Sequence, residues 1–207
     1  MLSYLNVYFN DLKSNDVFFT NTNFDSEKNA PAIFSALLHF FASVLLLQVG
    51  LTQLKINNRK YFWFGLSFVF LFLGFDELLR IHEKITGHSP TVKDNSEIFL
   101  YNWIIYYLSG ALLLGIIFLK PLLELPKKTL INFFIAGGIF IFGAVVLENI
   151  AMNFIENNAI EKSQIVITPE IFVLATLEEL CEMFGVTYFI YSILLFREEY
   201  KMTPVLL

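Results

Sequence analysis

The sequence predicts an all-α fold, a polytopic transmembrane helical bundle of five spans, and three observations carry that expectation. Five apolar runs of about the 20 residues that cross a bilayer fall at roughly 31–54, 61–80, 98–119, 129–155 and 169–196. Of 207 residues, 56% are hydrophobic, 24 are Phe and only 16% are charged. Mean hydropathy is +0.61, which sets the chain apart from soluble domains. Lys and Arg gather in alternate connections, as the positive-inside rule requires of one multi-pass chain. The whole of 1–207 therefore reads as a single integral membrane domain.

Each element has its own signals. The opening MLSYLNVYF is too short to cross and lacks a basic n-region, and Asp11, Asp16, Asp25 and Glu27 follow it. Residues 1–30 thus read as a short extracytoplasmic or interfacial segment rather than a cleaved leader. Pro31 suits the first turn of the first span, which carries His39, Gln48 and Gln53. The second ends in FLFLGFDELL. The third begins among Tyr101, Trp103, Tyr106 and Tyr107, the composition of an interfacial aromatic belt, and Pro121 and Pro126 bracket the short connection after it. Gly137, Gly138 and Gly143 in the fourth suit close helix packing. Thr168 and Pro169 form a candidate cap and first turn for the fifth.

The loops set an orientation. Lys55, Arg59 and Lys60, then Lys120, Lys127 and Lys128, then Arg197 and Lys201 occupy one side. The N-terminus is expected outside and the C-terminus inside, in a bacterial plasma membrane. Cys181 is the only cysteine, so neither an internal disulfide nor a CxxC metal clip can form. With a net charge of -5 and no basic tract, no nucleic acid partner is expected. The surrounding partner is membrane lipid, with a second copy or a complex subunit left open.

The positions of the acids carry the functional signal. Asp76, Glu77, Glu148, Glu178, Glu179 and Glu182 lie inside apolar runs, where an isolated ionised carboxylate costs roughly 2.5 to 3.5 kcal/mol near the bilayer centre. Counted from the outer ends of the spans, they share the outer half with His39. At about 100° per residue, Glu178, Glu182 and Glu179 form one arc on the fifth span, and Glu148, Asn149 and Glu156 one on the fourth. The second span is less regular. Asp76, Arg80 and Glu83 make an ion-pair stripe, and His82 falls about 120° away from Asp76. DELLRIHE can face one site only if the helix unwinds near Arg80. His82, Glu83, Lys84 and His88 otherwise begin a solvated loop, and His39 is otherwise a hydrogen-bonded core histidine.

Three function classes remain. A carboxylate-rich layer with one or two histidines suits a divalent metal ion, Fe, Zn, Mn or Mg. Candidate ligands are Glu148, Glu182, Glu178, Asp76, His39 and His82, with Glu179 and Glu77 as candidate catalytic carboxylates in an enzyme acting on a lipid or other hydrophobic substrate. No Glu-x-x-His pair is present, which speaks against a di-iron centre of that type. Alternatively the acids relay protons or cations in a transporter or channel subunit, or pair with a partner helix in an accessory subunit. FLGFDELLRIHEKI together with TLEELCEMFGVTYFIYSILL resembles uncharacterised bacterial multi-pass membrane proteins with an acidic-pair/His-Glu helix and a Glu-rich last helix. That resemblance implies a shared site joining Asp76, Glu77, His82 and Glu83 to Glu178, Glu179 and Glu182, and carries no activity.

Overall fold

The computed structural model describes residues 30–53, 60–88, 102–158 and 168–202. The segment 1–29, the connection bearing Lys55 and Arg59, the stretch 89–101 with Pro90 and Tyr101, and the connection bearing Glu161 and Lys162 lie outside the described residues, as do the side chains of Gln53, Glu83, His88, Trp103 and Glu156. Among the described residues the fold is all-helical. Helix α1 spans Ala30–Gln53, α2 Lys60–Leu79, α3 Ile81–His88, α4 Asn102–Leu123, α5 Lys127–Ile141, α6 Glu148–Asn157 and α7 Pro169–Glu199. A π-helical segment, Phe142–Leu147, joins α5 to α6 without interrupting the rod.

Five rods are long and apolar enough to cross a membrane: α1, α2, α4, the α5–π–α6 unit and α7. The third differs from expectation. It runs over Asn102–Leu123 and contains Pro121, because a proline in the last turn removes only one hydrogen bond there. The connection before Lys127 is correspondingly short. At the start of α7, Pro169 occupies the first turn as expected, but Thr168 makes no side-chain cap; its carbonyl accepts from Phe172 N at 3.0 Å.

Helix α1 lies along α2 and α7, α7 packs the whole α5–π–α6 rod, and α4 rests on α2 and α3. The core is aromatic. Trp63, 1% exposed, meets Phe62, Phe133 and Phe196 at ring-centroid separations of 5.0, 6.5 and 5.1 Å, and Phe189 stacks on Phe70 at 4.5 Å. The exterior is equally apolar: Leu112, Leu113 and Ile116 of α4 and Phe68 of α2 point outward, a surface that hydrocarbon solvates and water does not.

Two glycines fix the α5–α7 seam. A Cβ at Gly185 would stand 2.8 Å from Phe140 N, and one at Gly143 would stand 2.8 Å from the Glu178 carbonyl oxygen. Gly143 thus serves the close packing expected of it. Gly137 and Gly138 do not, since no atom outside their own helix backbone lies within 4 Å of a Cβ built there.

Candidate functional site

The acids converge on α1. Ser35 and His39 stand one turn apart on its buried face, both 0% exposed. His39 Nδ1 lies 2.9 Å from the Ser35 carbonyl oxygen. That oxygen can only accept, so Nδ1 carries the hydrogen and Nε2 is the acceptor nitrogen. Among the described residues, Nε2 is buried without a hydrogen-bond partner. Phe70 and Phe140 flank the ring, with centroids 6.0 and 5.9 Å away.

Across from this face, α2 ends earlier than helical periodicity implies. Arg80 takes φ 49°, the left-handed region, which costs a side-chain-bearing residue roughly 1–2 kcal/mol. The rotation ends the continuous helix that the expected Asp76–Arg80–Glu83 stripe presumes, and α3 starts at Ile81. Asp76 engages His82: the His82 amide donates to Oδ1 and His82 Nδ1 donates to Oδ2, both at 3.0 Å. His82 is thus tied to the Asp76 carboxylate and part-buried, rather than standing in a solvated loop start. The carboxylate fixes the orientation of the ring, as Asp does for working histidines. Strain of this kind persists only where its surroundings hold it.

Asp76 is buried at 6% exposure and also lies within electrostatic reach of His39 and beside the Tyr107 hydroxyl. Tyr107 packs its ring against Phe72, centroids 6.1 Å apart, so it turns into the bundle, unlike its exposed neighbour Tyr106. Glu77 feels the charges of His82, Asp76 and Arg80 and lies beside Ser35. Glu182 on α7 faces Glu77 and is surrounded by Glu179, Glu178 and Glu148.

All the expected site residues thus fall in one layer, but they divide. Asp76 and His82 form a matched pair with the Tyr107 hydroxyl close by. Glu77, Glu182, Glu178, Glu179 and Glu148 form a carboxylate group in which like charges face one another. Among the described residues, no group of three or more His, Cys, Asp or Glu is placed to hold a metal ion. Ser35 and Tyr107 were not anticipated as members. Ser35 could have been found from its i, i+4 spacing to His39; Tyr107 carried no signal separating it from an interfacial belt.

The five glutamates are part-buried, and carboxylates gathered in one place raise the cost of one another's charge. The layer can hold protons, take a cation or stabilise a developing positive charge. No curated protein and no solved structure matches the chain. The family described as "Domain of unknown function (DUF8692)" matches residues 7–196, a span containing every site residue named above, and the chain belongs to that family.

Proposed function

We propose that this is a five-span protein of the bacterial plasma membrane, N-terminus outside, whose acidic half is a proton-holding site reached from the outer side, of the kind proton-coupled transport uses. The facing of Glu77 on α2 and Glu182 on α7, with three more glutamates around them, carries this reading. Protons are favoured over a resident metal because the described residues gather no three-donor group. The aromatic layer of Phe70, Phe133, Phe189 and Trp63 beneath the acids argues for a pocket rather than a continuous pore. The orientation rests on the Lys and Arg pattern, the bacterial setting on the resemblance.

One observation favours a second reading. His39 offers a bare, buried Nε2 whose ring is oriented by an Nδ1–H bond to a carbonyl, the arrangement that metal-ligating histidines adopt. A divalent ion there would supply water or oxygen activation beside an acyl chain.

Melting the purified full-length protein with and without chelator, for the parent and Glu182→Gln, separates the two. Proton holding predicts no chelator effect and an unchanged or higher Tm for Glu182→Gln, because repulsion among the neighbouring glutamates is relieved. A metal predicts a lower Tm on chelation, a loss that reaches about 2.7 kcal/mol for an ion at a hundredfold excess over Kd, and a destabilised variant. If chelator does nothing and Glu182→Gln melts lower, Glu182 is a structural hydrogen-bonding group and both readings fall.

A further inference from the structure

The π segment has a geometric consequence for Glu148. Gly143 fixes which face of the rod meets α7: a Cβ there would lie 2.8 Å from the Glu178 carbonyl oxygen, 3.0 Å from Cys181 Cβ and 3.2 Å from Glu182 Cγ. In an uninterrupted α-helix, at about 100° per residue, Glu148 would lie about 140° from Gly143, turned away from α7. A π-bulge absorbs one residue. With Phe142–Leu147 π-helical, Glu148 lies about 40° from Gly143 on the same count, consistent with its place around Glu182.

The surplus residue also brings the buried Ala151 from about 80° to about 20° from Gly143 and turns the exposed Ile150 away, so the packing face of α6 and Glu148 turn together. Leu147, which is buried, would sit about 40° from Gly143 in a continuous helix and about 60° from it, on the other flank, with the π segment. It reaches α7 either way. Glu148 reaches it only with the π segment.

We propose that the π segment is a positioning device, whose one surplus residue turns Glu148 into the acid layer opposite Glu182 while Gly143 seats the two helices closely enough for them to interact. This rests on the reading of the acid layer as the working site, and it holds whether that layer carries protons or metal.

A double-mutant cycle in the full-length protein reads the interaction: Glu148→Gln, Glu182→Gln and the pair, each followed by Tm. In the parent, the shift of the pair should differ from the sum of the single shifts. Deleting Val146 removes the surplus residue and leaves Glu148 on the Gly143 face, so the shortened chain should melt no lower than the parent and keep that non-additivity. In an ordinary helix, the same deletion would turn everything beyond it by about 100°; a lower Tm with additive single shifts overturns the proposal.

Gly143→Ala should diminish the non-additivity. Gly185→Ala strains the same seam away from the acids and should lower Tm while leaving the non-additivity intact, and Gly138→Ala should change neither. Equal effects of Gly143→Ala and Gly185→Ala on the non-additivity would reduce Gly143 to a packing residue and overturn its role. The outcome is separable from the proton reading: additive shifts with a raised Tm for Glu182→Gln remove only the positioning role, whereas non-additive shifts with a lowered Tm in the presence of chelator remove only proton holding.

Discussion

From Ser43 toward the Lys- and Arg-rich end of the bundle, polar groups on neighbouring helices meet complementary partners. Ser43 Oγ donates to the Ser67 carbonyl at 2.7 Å while Ser67 Oγ donates to the Ser43 carbonyl at 2.8 Å. Tyr188 donates to Asn132 at 3.2 Å, and Arg197 Nη1 to Gln48 Oε1 at 2.8 Å. From His39 toward the other end, glutamates gather beside glutamates, a histidine nitrogen is buried with no hydrogen-bond partner among the described residues, and the backbone carries a π segment. In hydrocarbon an unmatched polar group has no water to fall back on. The half around Ser43 and Ser67 is explained by complementary pairing alone, whereas the acidic half gathers like charges beside the Asp76–His82 pair, which is how a working site differs from a scaffold.

The largest effect expected from this contrast lies in the matched half. Trp63 is 1% exposed and touches three aromatic rings, so Trp63→Ala should cost about 3 to 5 kcal/mol, the scale of buried aromatic truncations. Equilibrium unfolding in detergent or bilayer would measure it. A loss of that size from Glu182→Gln, with none from Trp63→Ala, would invert the assignment of scaffold and site.

An intermediate effect is expected at the α2–α3 corner. At φ 49° a β-branched residue is more strained than arginine and glycine is not strained at all. Arg80→Val and Arg80→Gly remove the same charge, so their difference isolates the backbone. Arg80→Val should be the less stable by roughly 1–2 kcal/mol, and α3 amides should exchange faster in it. Equal stabilities would mean that the corner adopts another conformation and that the Asp76–His82 pair does not depend on it.

How far the sequence could be read follows the same division. The five apolar rods, the proline at the start of α7 and the acidic arc on that helix are legible because each depends on hydropathy or on uninterrupted 3.6-residue periodicity. The Asp76–His82 pair was legible only conditionally: DELLRIHE gathers on one site if the helix unwinds near Arg80, and it does unwind there. The expected Asp76–Arg80–Glu83 stripe presumes a helical continuity that Arg80 breaks, and the Glu83 side chain lies outside the described residues. The π segment is invisible for a related reason, since one surplus residue shifts the phase of everything after it without altering local composition. The third span was placed early because Pro121 looks like a boundary, whereas a last helical turn tolerates it.

The smallest effect tests the contrast most directly, by altering one polar group in the matched half. Ser67→Ala removes the hydroxyl that donates to the Ser43 carbonyl, but the Ser67 carbonyl that accepts from Ser43 Oγ is backbone and survives. Only half of the exchange is lost. Interhelical hydrogen bonds in membranes average about 0.6 kcal/mol and reach about 1.7, so a loss near the lower figure is expected, and Ser43→Ala should match it by symmetry. The sign carries the argument: removing a matched hydroxyl should destabilise, whereas neutralising Glu182 in chelator should not. If both substitutions destabilise by similar amounts, the carboxylates are as well matched as the serines, and the acidic half is scaffold after all.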